Sequence, residues 1–434
     1  TGIADLGWHH ESTRVNFRFS GYREERGNGT PVQVNDTTWR QGALTGGGTL
    51  GSGAWQAAIS HGSQDYFQTF SAVATDRASE RLTTEQTTPS DFTQGSAQWV
   101  GAFGSHSFIV GGEFQDTDAT VEEFRYSVTN VQTGPFLVGG DALLMGGFLR
   151  GRFALGEAWT LSAGARVDGW KTSSIDPAVT DRTETFFSPR VALAWQRGGI
   201  GAHVAAARSY RTPTLNELHR GFRAGNVVTN PNPTLDPERM DGVEAGVLGS
   251  SGRMSARVTG FYNVLDGAIA NITLSSTPAQ ITRQRANSDE IRAFGGEFEA
   301  DVRLTSTLTI TGQLALTSST FQGSVATPAI EGNDVPQVPG WSGAVGLVWA
   351  DPRFVTFNLQ VRGSDDAYDD DLNTLVLRSY GVVDVFAGRT VWKALQAFAA
   401  VENLFDNDYD TAATPVRSIG WPRTFRVGVR AFFP

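Results

Sequence analysis

Few residues in this chain are arranged for chemistry. The six histidines are His9, His10, His61, His106, His203 and His219, and none lies in a His-Glu-x-x-His pair that would present two zinc ligands on one helix face. No Gly-x-Ser-x-Gly elbow and no phosphate-binding Gly-x-x-x-x-Gly-Lys loop occurs. Cysteine is absent, which removes thiol nucleophiles and thiolate metal ligands together. A surface hydrolase can scatter its triad over several strands, but no residue set marks one, and the expectation is that the chain is not an enzyme. Two acidic clusters remain: Asp365, Asp366, Asp369, Asp370 and Asp371, and then Asp406, Asp408 and Asp410. Carboxylate oxygens suit a hard cation such as Ca²⁺, yet neither cluster has the glycine and distal glutamate of an EF-hand loop. Solvated loop charge is the favoured reading of both. Ca²⁺ held by loop carboxylates, able to bridge to neighbouring phosphate groups, is the one cofactor these residues suggest.

The elements that would carry these loops are strands. Apolar and polar residues alternate over long stretches. Trp159, Leu161, Ala163, Ala165 and Val167 oppose Thr160, Ser162, Arg166 and Asp168. Leu308, Ile310, Leu314 and Leu316 oppose Thr307, Thr309, Thr311 and Gln313. Similar alternation predicts Leu193, Leu359 and Val427 on one face, and Arg190, Gln360 and Arg426 on the other. A soluble sandwich alternates too, but its strands are shorter and its polar faces carry less charge. Short connections, as at 51–53, 104–107, 155–158 and 250–253, take turns with long ones, as at 23–37, 66–91, 173–183, 211–237, 266–287, 365–377 and 404–420. That is the rhythm of periplasmic turns and extracellular loops. Aromatics near strand ends, among them Trp99, Phe103, Trp159, Trp170, Tyr210, Tyr262, Trp341 and Trp421, suit two interfacial girdles. The fold class is therefore all-β: one antiparallel transmembrane β-barrel domain over 1–434, with about 18 strands beginning near 13–22.

Composition agrees. Lys+Arg 35 against Asp+Glu 45 gives a net charge of −10, which argues against a nucleic-acid partner. No run reaches the length of a transmembrane helix. The chain opens at Thr1 without a signal peptide, so a mature or cut start is expected.

Several segments resemble the TonB-dependent receptors of the bacterial outer membrane. They are Ser209-Tyr210-Arg211-Thr212-Pro213-Thr214-Leu215-Asn216-Glu217-Leu218; Asn230-Pro231-Asn232-Pro233-Thr234-Leu235-Asp236-Pro237-Glu238 with Glu244-Ala245-Gly246; Val401-Glu402-Asn403-Leu404-Phe405-Asp406-Asn407-Asp408-Tyr409; and Gly420-Trp421-Pro422-Arg423-Thr424-Phe425. The resemblance implies a 22-stranded barrel, of which this chain would lack the first strands and the N-terminal plug domain. TonB would act through that plug. It also implies energised uptake of a ferric siderophore, cobalamin or an oligosaccharide, and an aromatic end, Phe433, read by the barrel-assembly machinery. A porin or a structural surface barrel is the alternative. An incomplete barrel would gape at its seam or close into a smaller ring.

Binding residues collect on long loops. The candidates are Arg211, Asn216, His219, Arg220, Arg223 and Asn226 in 211–237, with Tyr66 and Phe67 in another loop. The stretch from Arg211 to Leu218 is expected to pack the loop more than to touch ligand.

Overall fold

The structure is a computed structural model that describes residues 1–74, 78–224, 226–277, 280–322, 328–392, 395–414 and 417–431. Nineteen strands belong to one sheet. The chain divides into two compact units: 1–191 with 207–239 and 267–287, and 192–206 with 240–266 and 288–434.

In the first unit eight consecutive strands form an antiparallel meander: Gly2–His10, Thr13–Gly27, Val34–Leu50, Gly53–Val73, Glu80–Phe103, His106–Tyr126, Gln132–Leu155 and Trp159–Ser174. The second unit repeats the plan with Met254–Asp266, Glu290–Arg303, Leu308–Gln322, Trp341–Ala350, Thr356–Ser364, Tyr380–Trp392, Leu395–Glu402 and Thr424–Ala431. Arg182–Arg197, Ile200–Arg211 and Glu238–Ser251 are the other strands of the sheet.

Register converts alternation into faces. In the first unit Phe17, Leu44, Ile59, Gly95, Phe114 and Met145 align across six strands on the apolar face. On the other face Ser96, Glu113, Gly146 and Asp168 align. There Arg166 bridges Glu113 at 2.8 Å and Asp168 at 2.5 Å. A Cβ on Gly146 would collide with Asp168 Oδ1, so glycine makes room for the ion pair. In the second unit Phe298, Leu314, Gly343 and Gly363 align on the apolar face, and Glu299, Gln313, Ala344 and Arg362 on the polar one. Arg362 meets Asp384 at 3.0 Å and Arg426 meets Glu402 at 2.9 Å. Apolar side chains left largely uncovered by protein (Val427 at 84%, Leu149 at 56%) belong to a surface made for hydrocarbon.

Three details differ from the sequence reading. The strand Gly2–His10 precedes the expected first strand and pairs with Thr13–Gly27 throughout. Its turn is Glu11-Ser12, with Glu11 in the left-handed region at φ 51°, and neither residue is a usual hairpin signal. Second, 66–91 is mostly strand: only 74–79 separates Gly53–Val73 from Glu80–Phe103. Residues 66–73 mix apolar and polar side chains on each face and 80–91 are polar at almost every position, so alternation fades there. Third, Trp170 and Tyr210 do not join a girdle. Trp170 is 1% exposed in a packed cluster, and Tyr210 stacks on Phe186 at 4.8 Å.

Placing arginine at Leu314, halfway up its strand on the apolar face, should lower the bilayer unfolding free energy by about 2–4 kcal/mol. Arginine at the adjacent Gln313 should cost far less. Urea unfolding in lipid vesicles measures both; equal costs would mean the faces are misassigned.

Candidate functional site

At the long-connection end of the first unit, the segments 212–237 and 267–287 fold into a layer. It contains the short helix Leu215–His219 and a four-stranded sheet. In that sheet Phe222–Ala224 pairs with Val227–Asn230, which lies parallel to Ile281–Asn287, itself antiparallel to Ile269–Ser276.

The helix begins where sequence chemistry dictates. Thr214 caps it by accepting from the Glu217 backbone, and Glu217 returns the bond to the Thr214 N–H at 2.8 Å, a capping box. Arg211 ties that box to the strand that follows, pairing with Glu217 at 2.9 Å and also with Glu238. Burial acts to raise the Glu217 pKa, but the Arg211 and Thr214 bonds outweigh it and leave the carboxyl below its ordinary value. Leu218 and Leu235 are buried with Trp170 and Phe186. Arg182 lies over the Trp170 ring at 5.7 Å and meets Asp236 at 2.6 Å.

Arg220 anchors the layer to the strands. Its guanidinium donates to Gln86 at 2.9 Å and Gln68 at 3.2 Å, and sits 5.4 Å from the Tyr66 ring centre. Asn35, Gln68, Gln86 and Glu123 form one row across four strands, so register alone assembles this seat. Gln86 also donates to Glu123 at 2.6 Å and to the Gly221 carbonyl at 3.1 Å. Arg285, 6% exposed, donates to the carbonyls of Asn216 and Arg220 and covers the Phe222 ring at 5.3 Å. Burial lowers the pKa of Arg220, Arg223 and Arg285 from the ordinary value, so the site holds their charge at a cost.

The structure thus brings Arg211, Asn216, His219, Arg220, Arg223, Asn226 and Tyr66 into one layer or its seat. Phe67 is the next residue along the strand from Tyr66 and so faces the opposite side. His219 Nε2 and Asn226 Oδ1 are buried without a hydrogen-bond partner. Gln68, Gln86, Arg283 and Arg285 escaped the sequence reading, because nothing in sequence marks a glutamine that becomes important only through register.

The acidic loop lies in the second unit and is internally occupied. Asp369 accepts from Gln337, Ala413 and Thr414, and Asp370 from Thr374 and Leu375. Burial pushes the Asp369 pKa up, but these bonds prevail and hold it below its ordinary value. Asp366 accepts from the Ser379 N–H, Asp365 from the Asp366 N–H, and the Asp371 carbonyl from Asn333. Among the described residues no three metal-ligating side chains converge.

The Asn403–Asp406 motif is a staple in the same unit. Asn403, left-handed at φ 50°, donates to the Asn407 and Trp421 carbonyls, and Asp406 accepts from the Arg423 N–H. A Cβ on Gly420 would collide with the Tyr409 ring, which stacks on Tyr380, so only glycine fits. Asp410 pairs with Arg378 and Arg417. Phe433 lies outside the described residues.

Long antiparallel strands with one apolar face, one charged face and long packed connections define an outer-membrane β-barrel. The family described as TonB dependent receptor-like, beta-barrel matches residues 2–404, and the chain belongs to it. Its place is the bacterial outer membrane, and TonB is the partner that the family implies. Among solved structures, the copper transporter OprC is similar at TM-score 0.83 and 15% identity, over 99% of this chain and 71% of that one. The ferric preacinetobactin receptor BauA from Acinetobacter baumannii is similar at TM-score 0.78 and 16% identity, over 99% and 71%. The ferric yersiniabactin uptake receptor FyuA from Yersinia pestis is similar at TM-score 0.74 and 16% identity, over 97% and 68%. At these identities the likeness establishes the fold.

Leu235→Ala should open a cavity under the layer and weaken it by about 2–5 kcal/mol, read as faster amide exchange across 214–224. Leu404→Ala, in the other unit, should leave those amides unchanged. Acid should weaken the layer too. Burial lowers the His219 pKa from 6.5, so the opened layer takes up a proton first as pH falls. Stability is therefore full above about 6.5 and declines below it. Amide exchange between pH 7.5 and 5 checks this, and His219→Gln should remove that part of the pH dependence.

Proposed function

We propose that this chain is the barrel of a receptor that captures a scarce, bulky metal chelate at the cell surface and admits it with energy delivered through TonB. One observation carries the reading: the 212–237 and 267–287 segments form a packed, hydrogen-bonded layer seated by Arg220 on the polar row Gln68–Gln86–Glu123. A layer fixed in that way presents a formed surface to a ligand, which reduces the ordering cost of binding. The solved structures named above act on copper or ferric complexes by their own descriptions, and a chelate is preferred here over cobalamin or an oligosaccharide. Tyr66, Arg211, Asn216 and Arg220 build the layer and its seat, while Arg223, His219 and Asn226 have groups to spare for cargo. A plug domain would occupy the polar interior and receive the pull of TonB. Lipopolysaccharide would surround the apolar face, and the barrel-assembly machinery would read the C-terminal end at Phe433. The bonded carboxylates of Asp365, Asp366, Asp369 and Asp370, with Asp371 beside them, would order their loop rather than hold Ca²⁺.

The test is accumulation of radiolabelled ferric chelates in cells whose only receptor is the full-length protein. The expected result is uptake of at least one chelate that falls at least tenfold when TonB is deleted or the proton gradient is collapsed. Uptake unaffected by either treatment would make the barrel a passive pore.

A further inference from the structure

Arginines in this chain commonly meet carboxylates: Arg166, Arg182, Arg211, Arg362 and Arg426 all do. The loop layer of the first unit, with Arg81 on the neighbouring strand, breaks that habit. Among the described residues, Arg81, Arg220, Arg223, Arg283 and Arg285 have no carboxylate within ion-pair distance. Arg81 donates to the carbonyls of Leu82, Tyr126 and Ser127. Arg220 and Arg223 donate to the neutral amides of Gln68, Gln86 and Gln280, and Arg285 to two carbonyls. Arg283 Nε and one terminal nitrogen are buried with no partner.

The cations are also placed against one another. Arg81 opposes the charge on Arg223 and Arg220 that on Arg285, while Glu217 favours the charge on Arg285 and Glu123 that on Arg220. Arg283 and Arg285 share a face of their strand, and Arg283 is in register with Thr229, itself in register with Phe222 beneath the Arg285 guanidinium. The nearby carboxylates are already committed. Glu123 is held by Arg125 at 2.5 Å and by Gln86, and Glu217 by Arg211 and Thr214. Four arginines in a half-buried layer and Arg81 beside it, hydrogen-bonded to neutral acceptors or, at Arg283, left with orphan donors, form an unfavourable arrangement in isolation. Guanidinium groups with free donors match the bidentate geometry of carboxylate and phosphate.

We propose that the layer containing Arg220, Arg223, Arg283 and Arg285, with Arg81 on the neighbouring strand, is an oxyanion site that selects a carboxylate- or phosphate-bearing cargo over a neutral or cationic one. The proposal rests on the uptake reading and narrows its cargo class. Arg223 and Arg283 are the binding groups, since each keeps donors in reserve. Arg220 and Arg285 position the layer and supply field. The cargo supplies the ion-pair partner that the described residues do not give these groups.

Citrate, a small tricarboxylate, is the probe. Amide exchange of 214–224 and 281–287 is followed in the whole chain in detergent, at constant ionic strength with chloride as the balancing anion. Millimolar citrate should slow exchange there by roughly tenfold, the effect of one or two charged hydrogen bonds. Arg283→Met should abolish the protection, and Arg223→Gln should weaken it. Without citrate, Arg283→Met should exchange no faster than wild type, because it removes buried, unpaired donors. Citrate that protects nothing in the wild type, or protects Arg283→Met equally, overturns the proposal. If citrate protects as expected while the full-length receptor takes up no chelate, the oxyanion site stands and the uptake reading fails. If a neutral chelate is taken up and citrate does nothing, uptake stands and the oxyanion site fails.

Discussion

Every backbone amide that crosses hydrocarbon must find its hydrogen-bond partner inside the protein, and the antiparallel ladder is how this chain meets that demand. The ladder does more than satisfy the backbone. By fixing register it sorts each strand into a lipid face and a polar face, and it sets side chains from strands distant in sequence side by side. Arg166 finds Glu113 because Gln132–Leu155, running between their strands, holds both in step. The row of Asn35, Gln68, Gln86 and Glu123 exists for the same reason.

The loop layer grows out of that ladder. The Arg220 guanidinium needs fixed acceptors, and the strands supply them as amides rather than carboxylates. The burial of Trp170, Phe186, Leu218 and Leu235 gives the layer a small apolar core of its own. Fully burying such side chains is worth about 1.5–3 kcal/mol each. That is enough to hold a short helix that would not persist alone. The same economy appears in the second unit, where Asn403 and Asp406 bind the long final loop by backbone-directed bonds and leave the strand face undisturbed.

How much of this was legible in sequence follows from where each signal lives. Strands in contact with lipid on one side were legible, because hydrocarbon demands strict alternation: Leu314 against Gln313 is an example. The strand ends at 66–73, mixed on both faces, and at 80–91, largely polar, carried no such demand and read as loop. Gly2–His10 was lost because its apolar residues, Ile3, Leu6 and Trp8, fall on both faces. The motifs at 209–218 and 230–238 pointed to the right loop. Their mechanics, a capping box tied by Arg211 to Glu238, required coordinates. Arg283 and Arg285 could not have been singled out, since an arginine on an alternating strand is ordinary until its partners are known.

The central claim is that the 212–237 segment is seated on the polar face of the first unit by Arg220. Because the chain contains no cysteine, one measurement tests it cleanly. Arg220→Cys is paired with Gln86→Cys in outer-membrane vesicles and treated with a short bismaleimide, with the in-register pair Gln68→Cys and Gln86→Cys as the reference. The account predicts that both pairs cross-link to a similar extent. A reference pair that links, while the thiol introduced by Arg220→Cys stays free to react singly, would place the segment away from the strands and contradict it.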